Sequence, residues 1–253
     1  MALTIPDPLN DILITMQSGC SLLRVASYNI RKSVGLDWKR DSARIMRVLG
    51  EIDADVVALQ EADKRFGERQ GTLPAQILQL ELGYKFADIP NSGTSHGWHG
   101  NAILYREPLE PVETKPVNIP VAEPRGAIAT RFDCSNGKYF QLIGTHLSLL
   151  GAMRARQIRA ITNYIRQTMT DCPTIVAGDF NEWRERGKAY RAAGPDFNVV
   201  TPGASFHSAR PGLPLDRFIL SGGIRLEDCG VHKSASAKVA SDHLPIYVDI
   251  DLN

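Results

Sequence analysis

The run Ile175-Val176-Ala177-Gly178-Asp179-Phe180-Asn181 ends an apolar stretch on a glycine and then presents a carboxylate and a carboxamide two positions apart. If the backbone stays extended, both side chains point to the same side. The carboxylate only accepts hydrogen bonds, whereas the carboxamide donates and accepts. Together they suit a two-point task, holding a water molecule between a metal ion and a phosphate. The competing reading is a turn after a core strand, because Asp and Asn readily bond their own backbone. Recurrence of the pattern favours chemistry. Leu23 to Tyr28 delivers Asn29, Val56 to Leu59 delivers Gln60 and Glu61, and Phe140 to Ile143 delivers Gly144, Thr145 and His146. Each polar group sits just past an apolar β segment, the edge at which open α/β sheets bind ligands. Near the C-terminus the order inverts: Asp216 opens Arg217 to Leu220, and Asp242 and His243 precede Leu244 to Val248. If these groups meet at one edge, strands starting there run opposite to strands ending there, so the sheets are mixed.

The elements that must position these groups follow from periodicity. Asp41 to Ile52 carries Ile45, Val48, Leu49 and Ile52 at helical spacing with Arg44 and Arg47 outside, which predicts an amphipathic helix covering a sheet. A second helix is expected over Leu73 to Leu82, ended by Gly83. A strand is expected over Tyr84 to Ile89, a loop over 91–99, and a strand over Asn101 to Tyr105. Ile128 to Phe132 and Tyr139 to Ile143 read as a hairpin around Asn136-Gly137. Arg154 to Met169 reads as a long helix whose arginines mostly form a solvated face. A short helix over Arg184 to Ala193 precedes strands near Asn198 to Val200, Leu215 to Leu220, Ile224 to Val231 and Leu244 to Ile250. Interleaved strands and helices, with enough strands for two sheets, point to sheets packed face to face with helices outside.

A chain of 253 residues with 43% hydrophobic and 23% charged residues has material for a large core, and no linker divides it. We expect residues 1–21 to form an arm and 22–253 a single domain. A net charge of +1 does not demand nucleic acid. Cys20, Cys134, Cys172 and Cys229 are scattered singly, which fits reduced thiols and a cytoplasmic protein. Ile12 to Met16 ahead of Cys20 is too short and too interrupted by charge for a secretory leader. No stretch approaches the roughly 18 apolar residues of a membrane span.

Taken in order, Ser27-Tyr28-Asn29, Leu59-Gln60-Glu61, Gly144-Thr145-His146-Leu147, Gly178-Asp179-Phe180-Asn181, Leu215-Asp216-Arg217 and Ser241-Asp242-His243 resemble the endonuclease/exonuclease/phosphatase superfamily, which includes deoxyribonuclease I. The resemblance runs from Leu22 to Ile250. It implies a four-layer α/β sandwich, two mixed β-sheets packed face to face with helices outside, and Mg²⁺-dependent (or Mn²⁺-dependent) hydrolysis of a phosphate ester, most simply a phosphodiester. A nuclease acting on DNA or RNA and a noncatalytic phosphate-binding scaffold are the alternatives.

The chemistry of each residue agrees with these roles. Glu61 would be the main metal ligand, a hard oxygen for a hard ion, unless it serves a salt bridge. Asp242 would be a second metal or water ligand, and Asn29 completes that group. Asn29 and Asn181 would orient the attacking water and a phosphate oxygen. Asp179 would accept the water's proton or align its lone pair. His146 and His243 would donate to phosphoryl oxygens, with Asp216 fixing the His243 tautomer and raising its pKa. Arg125 would clamp a phosphate or be an ordinary surface arginine, and Asn101 would line the pocket. His96, Trp98 and His99 sit on the neighbouring loop.

Departures from the pattern narrow the substrate. Abasic-site endonucleases of this superfamily carry an acidic residue where this chain has Arg31, and a loop rich in Trp and Arg where it has Ser205 to Pro211. The expected substrate is therefore a small diester, a lipid head group or nucleic acid contacted over one or two phosphates. No stable protein partner is indicated, and a monomer is expected.

Overall fold

The computed structural model describes residues 22–252 apart from 65–66, 90–92, 135–136, 169–171, 185–186 and 188–189. The expected arm at 1–21 and the tip of the expected hairpin turn lie outside the described residues. The strands are β1 (Leu22–Asn29), β2 (Val56–Gln60), β3 (Lys85–Phe86), β4 (Ala102–Tyr105), β5 (Glu110–Val117), β6 (Gly126–Asp133), β7 (Tyr139–His146), β8 (Thr174–Asp179), β9 (Phe197–Val200), β10 (Asp216–Ser221), β11 (Arg225–Val231) and β12 (Ile246–Asp251). The helices are α1 (Ser42–Ile52), α2 (Ala75–Leu82), α3 (Gly151–Thr168) and the short α4 (Ala237–Ala240).

Two six-stranded sheets form, in the orders β11-β12-β1-β2-β4-β3 and β5-β6-β7-β8-β10-β9. Both are mixed: β1 runs parallel to β2 and antiparallel to β12, and β7 runs parallel to β8, which is antiparallel to β10. Alternation along each strand divides the apolar residues between layers. Val25, Val56, Ala58 and Ile103 of the first sheet face Ile128, Phe132, Phe140, Ile175, Ala177 and Phe218 of the second. The residues between them turn outward. Ala26, Val57 and Leu59 meet Ile45, Val48 and Leu49 of α1, and Ile143, Val176 and Ile219 meet Ile158, Ile161 and Ile165 of α3. The result is the expected four-layer sandwich.

Local chemistry sets the boundaries. The Asp41 side chain accepts a hydrogen bond from the Ala43 N–H at 3.0 Å and caps α1. Gly83, at φ 73°, closes α2 in the left-handed conformation, as expected. At Gly178 a Cβ would lie 1.9 Å from the Thr145 carbonyl oxygen, so β7 and β8 approach closely only because residue 178 has no side chain.

One strand is new, one expected helix is corrected and one helix face is refined. Strand β5, which carries Pro111 and Pro116, lies in a stretch to which the sequence reading assigns no element. It sits at a sheet edge, where proline costs no ladder bond on the free side. The expected helix over Arg184 to Ala193 shows, among the described residues, only a 3₁₀ turn at Tyr190–Ala192. In α3, Arg156, Arg159 and Arg166 are exposed as expected, but Arg154 is buried and pairs with Glu182 at 3.0 Å. Among the described residues no helix is long and apolar enough to cross a membrane.

Candidate active site

The register of the strands brings the polar groups to one edge. Asn29 lies opposite Gln60, His146 opposite both Gly126 and Asp179, and Asp179 opposite Asp216. Asp242 and His243 enter from the other direction, just ahead of β12, whose Ile246 pairs with Ser27. Groups separated by more than 200 residues of sequence thus share one end of the sandwich.

Asp179 is the hub, and it is buried. Its Oδ2 accepts from Asn29 Nδ2 at 3.1 Å, lies 3.2 Å from His146 Nε2 and 3.7 Å from His243 Nε2. Its Oδ1 accepts from the Asn181 N–H at 2.9 Å. Burial alone would raise the Asp179 carboxyl, but His146 and His243, with the hydrogen bonds, outweigh it and hold the group well below the usual carboxylate range. His243 bonds Asp216 Oδ2 through Nδ1 at 2.8 Å. Burial would lower the imidazole, yet Asp216 and Asp179 overcome that and push it up to about 10, so His243 is an imidazolium at neutral pH. The Ser205 hydroxyl donates to the same Asp216 oxygen.

The other cluster is more open. The Glu61 carboxylate pairs with Lys32. Burial would raise Glu61, but Lys32 and then His146 hold it below its ordinary value. Asp242 faces Arg31 at 3.4 Å. Asn29, having turned Nδ2 to Asp179, accepts the Arg31 N–H on Oδ1 at 3.1 Å. Arg31, Lys32 and Ser33 all have positive φ, as do Glu61 (53°) and Asn181 (52°). Backbone strain of this kind in non-glycine residues collects at functional sites, held by the surrounding structure.

Arg125 donates to His146 Nδ1 at 2.8 Å, crowds Nε2 of the same ring, and is steadied by Glu123 at 3.3 Å. Arg125 and His146 line a cavity of about 450 Å³ with Lys32, Glu61, Lys64 and Arg69. Asn101 is not among the residues lining it. Its Nδ2 donates instead to the Trp98 and Gly126 carbonyls, both at 3.1 Å, tying the loop before β4 to β6. Asn181 likewise anchors backbone, donating to the Leu147 carbonyl at 2.9 Å.

Sequence reasoning missed Lys32, Ser205, Glu123 and the buried support beneath Asn181. That support is Arg154 on Glu182, with Arg217 donating to the Glu182 carbonyl at 3.1 Å and stacked 4.6 Å over Tyr190. A signal existed only for Glu123, a carboxylate two positions before Arg125.

Residues 26–243 match the model of the Endonuclease/Exonuclease/phosphatase family. The chain is 29% identical over 228 residues to the uncharacterized protein YbhP of Escherichia coli K12, covering 79% of this chain and 85% of the relative. Its fold superposes on an endonuclease/exonuclease/phosphatase from Bacteroides vulgatus with TM-score 0.72 at 18% identity, covering 92% of this chain and 99% of the other. A mannosyl-6-phosphatase of Bacteroides thetaiotaomicron VPI-5482, Bt3783, superposes with TM-score 0.70 at 20% identity, covering 90% and 99%. With the family match spanning most of its length and the polar groups gathered at one sheet edge, the chain belongs to the endonuclease/exonuclease/phosphatase family of phosphoric-ester hydrolases.

Proposed function

We propose that the protein is a phosphodiesterase that uses Mg²⁺ or Mn²⁺ and attacks phosphorus in line with a water molecule. The observation that carries this reading is the buried, ionised Asp179 approached by two histidines, one of them held as an imidazolium by Asp216.

Glu61, Asp242 and the carboxamide oxygen of Asn29 would hold the ion. They are hard oxygen donors, and Oδ1 of Asn29 carries only the Arg31 N–H, so the set fits Mg²⁺ with several retained waters. Asp179, Asp216 and His243 also place donor atoms within 4.8 Å of one another. There, however, His243 is bonded to Asp216 through Nδ1 and carries a second proton on Nε2, 3.7 Å from Asp179, so its ring offers no lone pair to a cation. When bound, the ion polarises a phosphoryl oxygen as a Lewis acid.

The remaining steps belong to the side chains. His243 and Arg125 carry positive charge to the phosphoryl oxygens, where negative charge builds in the transition state, and His146, set between Arg125 and Asp179, positions both. Asp179 aligns the attacking water. A carboxylate held this acidic is a weak proton acceptor, so alignment suits it better than proton abstraction. A second cavity of about 250 Å³ shares His99 and Arg125 with the first. Two lobes meeting at one arginine suit the two substituents of a diester.

The test is turnover of bis-p-nitrophenyl phosphate against p-nitrophenyl phosphate, with and without chelator. The diester should be preferred and chelator should abolish turnover; metal-independent turnover, or none on either compound, would sink the proposal. Plasmid nicking whose affinity falls by roughly 0.9 log unit per log unit of salt for each of many phosphates would make the protein a nuclease.

A further inference from the structure

The chain has three tryptophans, and all three sit on loops at the catalytic edge. Trp38 follows β1, Trp98 precedes β4 and Trp183 follows β8. They are 77%, 41% and 51% exposed. Aliphatic side chains join them on the same edge: Val121 ahead of β6, and Leu149 and Leu150 after β7, are 59%, 62% and 58% exposed. A single exposed apolar residue needs no explanation. Every tryptophan of a protein exposed around one site does, because a large apolar ring left in water forgoes burial that the rest of the fold achieves.

Each ring also has an arginine beside it. The Arg31 guanidinium lies 4.4 Å over Trp38, that of Arg184 lies 5.9 Å from Trp183, and Arg125 shares the smaller cavity with Trp98. Tryptophan, with an apolar body and one N–H, favours the boundary between water and acyl chains. Arginine next to it matches anionic headgroups. Single-stranded nucleic acid would also use the rings, by base stacking. It gains little, however, from Val121, Leu149 and Leu150, which offer apolar contact and no base-stacking face.

We propose that the catalytic edge docks on an anionic lipid surface, the tryptophans and aliphatic residues entering the headgroup boundary and the arginines pairing with lipid phosphates. Presentation of lipid phosphodiesters to the site then rests on the hydrolase reading above, whereas the docking itself does not.

Because no tryptophan lies elsewhere, intrinsic emission reports this edge alone. Full-length protein is titrated with vesicles of phosphatidylcholine, with vesicles containing about one-third phosphatidylglycerol, and with a single-stranded oligonucleotide. Turnover of bis-p-nitrophenyl phosphate is measured in parallel. A blue shift on the anionic vesicles, larger than on the neutral ones, is the expected result. Leu150→Glu, alone and with Trp183→Ser, should weaken vesicle binding about tenfold, as loss of buried apolar area at an interface does, with turnover of the soluble diester unchanged. No shift on anionic vesicles from a protein that still turns over the soluble diester overturns the docking and leaves the hydrolase reading intact. A shift without any diester turnover does the reverse. Quenching by the oligonucleotide with no response to vesicles also overturns the docking and reassigns the rings to nucleic acid.

Discussion

The two sheets bring different kinds of chemistry to the same edge. The second sheet ends in His146 and Asp179 and begins again at Asp216; these groups are buried, His146 against Asp179 and Asp216 on His243, and Glu182, Arg154 and Arg217 pack behind them. The first sheet ends in Asn29 and Glu61, and the two carboxylates on its side, Glu61 and Asp242, are partly exposed and paired with Arg31 and Lys32 from one left-handed loop. His243 crosses between them, sent from the first sheet to Asp216 in the second. A buried, hydrogen-bonded network holds its geometry before substrate arrives. An open set of hard oxygens beside mobile-length cationic side chains is suited to exchange a cation for a metal ion. On the proposed reading, one half of the site is prearranged and the other would be completed by the metal ion.

If that division is right, damage to the two halves should differ in kind. The largest effect is expected from Asp179→Asn, which removes the hub charge: kcat should fall about 10³ to 10⁴-fold, while Mg²⁺ affinity measured by calorimetry stays close to that of the parent. A loss of metal affinity equal to the loss of rate would erase the distinction. Next comes Arg154→Met beneath the second sheet. It strands the Glu182 carboxylate in a buried place and should cost about 3–5 kcal/mol of stability in denaturant unfolding. An unchanged midpoint would show that Glu182 finds water.

Glu61→Gln on the first sheet should act on the metal. Affinity for Mg²⁺ should drop about 10 to 100-fold, and excess Mn²⁺ should restore much of the rate; unchanged Mg²⁺ affinity would remove Glu61 from the ligand set. The smallest effect concerns Glu123, which steadies Arg125. Burial would raise its carboxyl, but Ser148 and Arg125 hold it below the ordinary value of 4.5. A depressed folded pKa contributes stability above the unfolded value and loses it as pH falls through the folded one. The contribution should therefore be present at neutral pH and vanish under more acidic conditions, and at this partly exposed pair it amounts to at most about 1 kcal/mol. Glu123→Gln should flatten that part of the pH–stability curve, and an identical curve would show the pair to be idle.

Much of this arrangement was legible in the sequence because each strand is short and its polar terminus follows an apolar run directly. Asn29, Glu61, His146, Asp179, Asp216 and His243 were all named from that pattern, and the inverted order at Asp216 and Asp242 required the mixed sheets that form. What escaped notice came from loops. Lys32 reaches Glu61 only because the backbone at 31–33 turns left-handed, and Ser205 meets Asp216 from a segment with no periodicity. Arg154 looked like part of a solvated stripe, since its partner Glu182 lies on another element whose position depends on α3 packing against β8.

The sequence by itself determined the layers and the edge: alternation of period two assigns each strand residue to a face, helical spacing assigns α1 and α3 to the outside, and both periods are local properties of the chain. Only the tertiary structure decided partners. Which cation sits on Glu61, which carboxylates raise His243, and where the three tryptophans gather depend on distances between residues far apart in sequence, and electrostatic and packing energies are functions of those distances.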